Sequence, residues 1–252
     1  MGQETSVFRL DEEAVEVPRC GRDLLVRDDR AFDAEMVRGA VVFYNLTHAG
    51  PREVMEGIAT RAMVDQAFAW VPEVIAERAR RAQVDVANVK WRAPTDRELF
   101  NSKLAVFTLL GPLRGLAQQF RFELGSRRLS SSEWLDEVLS SLPIYSRFRF
   151  EDERITEASV PLLRGLSECV AYAIAVVRLD RRKPKISERI RECPYTDPHF
   201  GEYQSNHYFL DFRVGEDGRL ETNRLRFCCP AHNNRYKSRM HRKKVAKGRR
   251  HK

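Results

Sequence analysis

The sequence predicts an α+β fold in two parts: a mainly helical N-terminal domain with a few short strands, then a small C-terminal ββα module. Three observations carry this. Apolar residues recur at helical spacing through much of 52–179, helped by two capping-box sequences. A strand–turn–strand pattern over 207–227 lies between two groups of Cys and His. Residues 235–252 hold ten Lys or Arg and no Asp or Glu.

In chain order, Val7 to Leu10, Asp23 to Arg27 and Ala40 to Leu46 read as short strands, the last rich in β-branched and aromatic residues. Thr47 to Pro51 reads as a turn. Val54, Ile58, Ala62, Met63 and Ala67 place a helix over 52–70, which Pro72 should kink or end before a second helical piece to Ala82. Thr95 with Glu98, and Ser130 with Glu133, are capping boxes ahead of apolar runs starting at Leu99 and Trp134. Ile144 to Phe150 alternates and reads as a strand, and Ala158 to Leu179 as the most apolar helix and the centre of the core. The polar stretch 181–190, with Arg181-Arg182-Lys183-Pro184-Lys185, reads as a basic linker between a domain over 1–180 and a module over 191–245. Residues 246–252 read as a disordered basic tail.

The whole chain of 252 residues carries 44 Lys+Arg against 36 Asp+Glu. Without the ten basic residues of the tail the balance is 34 to 36, so the positive charge is local and reads as a footprint for a polyanion. The longest apolar run, Val170 to Val177, is too short to span a bilayer. The N-terminus shows no basic start with an apolar stretch of the secretory kind. Five unevenly scattered cysteines do not suggest a disulfide framework, so a reducing, cytoplasmic setting is expected.

The chemistry concentrates near the C-terminus. Cys193, His199 and His207 precede the first strand of the hairpin, and Cys228, Cys229 and His232 follow the second. A hairpin between two ligand groups, the second at a helix N-terminus, is a common way to build a tetrahedral zinc site. Zinc accepts both thiolate and imidazole, and a helix N-terminus favours the thiolate. The spacing leaves the choice open between His199 and His207, and between Cys228 and Cys229. Beyond these, Arg235, Lys237, Arg239, Arg242, Lys243 and Lys244 fall on more than one face of the expected helix and suit phosphate contacts. Asn233 and Asn234 could read a base edge or cap the helix.

His232-Asn233-Asn234-Arg235-Tyr236-Lys237-Ser238-Arg239 resembles the signature of the CGNR zinc fingers, a bacterial C-terminal module presumed to bind DNA. The family's Cys-Gly-Asn-Arg followed by x-Lys-x-Arg is matched at Asn234, Arg235, Lys237 and Arg239. Phe209-Leu210-Asp211 is similar to its Phe-x-Asp strand, and Phe227-Cys228 to its Trp-Cys. His232 stands where the last cysteine ligand falls, Asn233 replaces the glycine, and Ser205 replaces a cysteine two residues before His207. The resemblance covers roughly 190–245 and implies a treble-clef-like finger, structural zinc, DNA binding and transcription regulation.

Two other readings compete. His207, Asn223 and His232 occur in the order of an HNH-type metal-dependent endonuclease, with His207 as general base and His232 as a ligand to a catalytic metal. Against it, His207 runs straight into an apolar strand, and Asn206 stands where a second metal ligand belongs. An RNA-binding or ribosome-associated protein would rest on the same cationic term. Residues 1–180 offer no nucleophile–base pair, glycine-rich phosphate loop or carboxylate cluster, so no catalytic residue is assigned.

Overall fold

A computed structural model describes residues 29–48, 61–87, 89–115, 120–151, 154–181, 183–194, 208–214, 220–222, 227 and 230–249. The strands expected at Val7–Leu10 and Asp23–Arg27 lie outside the described residues, as does the 52–60 part of the helix expected over 52–70.

The described helices are α1 (Asp29–His48), α2 (Arg61–Phe68), α3 (Val71–Arg81), α4 (Asp96–Leu110), α5 (Ser131–Ser140), α6 (Leu166–Leu179) and α7 (Pro230–Arg249). The strands form four antiparallel pairs: β1 (Arg121–Leu124) with β2 (Arg127–Ser130), β3 (Ile144–Glu151) with β4 (Arg154–Pro161), β5 (Ile190–Glu192) with β6 (Tyr208–Leu210), and β7 (Phe212–Val214) with β8 (Leu220–Thr222). Mixed helix and short antiparallel strands make the fold α+β.

One large cluster of buried side chains runs from Ala31 to Phe212, and α1 is at its centre, packed on α2, α4, α6 and β6. This corrects the strand expected over Ala40–Leu46 and the turn expected at Thr47–His48: both belong to α1. Between Ala31 and Leu46 only Asp33, Arg38, Val42 and Asn45 are less than fully buried. A helix covered on nearly all sides has no polar face, so its sequence loses the 3.6-residue contrast and reads as an apolar, β-branched run. Gly39 lets α2 approach: a methyl group there would lie 2.7 Å from Phe68 Cε1 and 2.9 Å from the Ala67 carbonyl oxygen.

Both capping boxes form. Thr95 and Glu98 exchange side-chain and backbone hydrogen bonds at the start of α4, and Ser130 and Glu133 do so at the start of α5. The Ser130 hydroxyl, then its amide, hold the Glu133 carboxyl below its ordinary range. Pro72 sits in the first turn of α3, where its missing N–H costs nothing. The helix expected over 158–179 is corrected at its front: β4 runs to Pro161 and α6 starts only at Leu166, after Gly165. Pro161 and Gly165 interrupt the apolar run, and Leu162 N–H instead donates to the Pro143 carbonyl.

The segment read as a linker is anchored. Ile186 and Ile190 are buried in the main cluster, Ile186 N–H donates to Asp180 Oδ2 at 3.0 Å, and Arg30 of α1 bonds the Pro184 carbonyl. Among the described residues no helix is long and apolar enough to cross a membrane.

Candidate metal centre and basic helix

The β5–β6 pair brings the chemistry to α1. Asn45 pairs its amide with the Tyr208 backbone, donating to the carbonyl at 2.7 Å and accepting from the N–H at 2.9 Å. The side chain thereby stands in for a neighbouring strand. Tyr208 also meets Tyr44 edge-on, ring centroids 5.8 Å apart. Two turns earlier, Arg38 holds Glu35 at 3.1 Å and bonds the Phe212 carbonyl. Along β5–β6, Ile190 pairs with Leu210, Arg191 with Phe209 and Glu192 with Tyr208. The next residue after β5 is Cys193.

Cys193 is 2% exposed, and its sulfur lies 3.6 Å from Nδ1 of His232, which is 9% exposed. Around them Phe209 and Phe227 are buried, with Tyr236 half-buried against them; the Phe227 and Tyr236 rings are 5.1 Å apart. This small cluster is separate from the main one. His232 and Tyr236 are one helical turn apart on α7, so a single face of that helix's first two turns is seated. Nearby, the fully buried carboxylate of Asp211 is 3.1 Å from the Arg191 guanidinium, and its backbone N–H donates to Arg189.

The separation is that of a thiol–imidazole hydrogen bond, and it is also the separation of two ligands on one metal. Two ligands of a tetrahedral zinc, with Zn–S about 2.3 Å and Zn–N about 2.0–2.1 Å, are separated by roughly 3.5–3.6 Å. Of the six expected ligands the structure brings together Cys193 and His232. His199, His207, Cys228 and Cys229 lie outside the described residues, and among those described no group of three or more His, Cys, Asp or Glu is poised for a metal. Cys169, the other described thiol, is remote in role: complete burial first, then the Glu168 carboxylate, push its thiol well above 9.0.

Helix α7 begins at Pro230, three residues before Asn233, so Asn233 and Asn234 lie within the helix and not at its cap. Asn233 is half-buried and Asn234 exposed. Arg235, Lys237, Arg239, Arg242 and Lys244 are all exposed, and Lys243 occupies a helical position among them. From Lys237 onward every described side chain of the helix is exposed, Met240 and Val245 included. The helical backbone continues to Arg249, four residues past the point where disorder was expected. The sequence reading missed Asn45, which lies in the run it took for a strand; a lone polar residue among Val, Phe, Tyr and Leu was the available signal.

Compared with known proteins, the chain matches no protein-family model, and neither a curated protein nor a solved structure shows significant similarity to it.

Proposed function

We propose that the chain from residue 191 onward is a zinc-supported module that binds DNA through α7, and that the protein acts in transcription regulation. The observation that carries this is the buried Cys193–His232 pair, with its tetrahedral-ligand spacing, at the root of a helix that is cationic and exposed beyond it. The resemblance of Asn234, Arg235, Lys237 and Arg239 to the CGNR signature supports the same reading.

In this reading Cys193 and His232 hold two of four zinc positions. His207 or His199 supplies the third, and Cys228 or Cys229 the fourth. His207 directly precedes Tyr208, whose partner Glu192 precedes Cys193, while Cys228 and Cys229 fill the interval between the buried Phe227 and the start of α7. A thiol beside an imidazole is a soft donor set, suited to zinc and ill suited to the magnesium of an HNH nuclease. Zinc held by four protein ligands is structural: it fixes the angle at which α7 leaves the fold.

Metal analysis of the purified chain tests the site. About one zinc per chain is expected, lost in Cys193→Ser and in His232→Ala. Affinity for duplex DNA is expected to fall with salt, with a log–log slope on the order of −5 to −7. Wild-type protein without stoichiometric zinc would remove the metal from the proposal. Affinity that hardly changes with salt would remove the polyanion.

A further inference from the structure

We infer that α7 lies inside the major groove of B-form duplex DNA, with cations facing both phosphate walls, and does not lie along a single phosphate ridge. This rests on the proposal that α7 binds nucleic acid, and extends it to the kind of duplex and the mode of contact.

The argument begins with how α7 is held. Among the described side chains of the helix, His232 and Tyr236 seat its first two turns, while those from Lys237 to Arg242, with Lys244 and Val245, are exposed. The described side chains from Lys237 to Val245 are therefore exposed on several sides of the helix, and no residue of 230–249 is acidic. A helix serving one phosphate ridge needs cations on one side. Here, at about 100° per residue, Arg235, Arg239 and Arg242 fall within roughly 60° of one another. Lys237 and Lys244 fall together on the roughly opposite side. Lys243 falls between these two groups, so the cations span opposed sides of the helix and the arc joining them, an arrangement that meets two negative walls at once in a groove.

Size then selects the groove. An α-helix with its side chains is about 10–12 Å across. The B-DNA major groove is about 12 Å wide and the minor groove about 6 Å. The major groove of A-form RNA is deep and too narrow for side chains to read. Seated this way, the exposed Asn234, near the start of α7, also comes within reach of base edges.

The test uses the full-length chain and fluorescence anisotropy on one 30-bp duplex sequence in four forms (length on the order of three helical turns). These are unmodified DNA, DNA with glucosylated 5-hydroxymethylcytosine filling the major groove, DNA preloaded with a minor-groove drug, and the equivalent RNA duplex. Major-groove glucosylation is expected to weaken binding at least about tenfold, and RNA to bind more weakly than unmodified DNA, while the minor-groove drug leaves affinity unchanged. Lys237→Ala with Lys244→Ala, and separately Arg239→Ala with Arg242→Ala, are each expected to reduce the salt slope by about 2. These residues are exposed, so both pairs are expected to fold.

Equal affinity for glucosylated and plain DNA overturns the groove placement and leaves DNA binding standing. So does a slope that responds to only one of the two pairs. RNA bound as tightly as DNA overturns the choice of duplex. Binding to none of the four forms overturns this inference together with the function it rests on.

Discussion

Asn45 shows how much one side chain decides. Its amide bonds both backbone groups of Tyr208, and Tyr208 pairs across β5–β6 with Glu192, the residue before Cys193. Asn45→Ala leaves a buried N–H and a carbonyl without this partner, which should cost about 1–3 kcal/mol by urea denaturation. Asn45→Asp should cost at least as much, because a carboxylate keeps the acceptor but turns the donor into a second acceptor facing the carbonyl. Losses under about 0.5 kcal/mol in both variants would mean that the amide is not what holds β6. Cys169 gives a prediction in pH. Its folded thiol is raised well above 9.0, so the unfolded chain ionises first as pH rises. The stability from burying the neutral thiol is complete below 9.0 and is lost, by about 1.4 kcal/mol per pH unit, as pH climbs from there towards the folded value. Cys169→Ala should flatten the alkaline fall of the urea midpoint relative to wild type. Parallel curves for the two proteins would contradict it.

Among elements, the crossing of α1 with α2 is the tightest constraint. Ordinarily Gly→Ala inside a helix gains about 0.8–1 kcal/mol of propensity. At Gly39 the added methyl meets the Ala67 carbonyl oxygen at 2.9 Å, and backbone cannot rotate aside as a side chain can. Overpacking of this kind costs about 1–3 kcal/mol, so Gly39→Ala should be net destabilising in thermal or chemical unfolding. A stabilised variant would show that α1 and α2 are not packed this closely. The same scale explains which elements were legible. Capping boxes at Thr95 and Ser130 are local devices, set by side chains three residues apart, and both formed where the pattern placed them. The strand Ile144–Glu151 follows a period-2 alternation that needs no partner to be recognised. By contrast α1 is apolar on nearly every side because other elements cover it, and Val160, Leu162 and Leu163 between the end of β4 and the start of α6 extend the helix's apolar run forward past its true start.

Across the whole molecule two clusters of very different size coexist. The main one takes in α1, α6 and also Ile186, Ile190, Tyr208, Leu210 and Phe212, while the small one holds Cys193, Phe209, Phe227 and Tyr236. Strands β5 and β6 thus belong to the large core on one side and lead to the candidate centre on the other. If zinc staples only the small cluster, its removal by a chelator should raise amide exchange in the first turns of α7 at least about tenfold and leave α1 and α6 protected. Loss of the near-ultraviolet signal of the buried Trp134 on chelation would instead tie the metal to the entire fold.

What could be read from the sequence alone was the class of residue and its local habit: a cationic terminal helix, Cys and His grouped around short strands, and capped helices with apolar stripes. Each of these depends on neighbours within a few positions, where propensity and charge act directly. Tertiary structure alone decided that 40–46 is helix, that a segment resembling a linker is pinned to α1 through Arg30, and that the sulfur of Cys193 meets the ring of His232 across 39 residues of chain. Burial and long-range pairing are properties of what covers a segment, and a sequence read window by window holds no record of its cover.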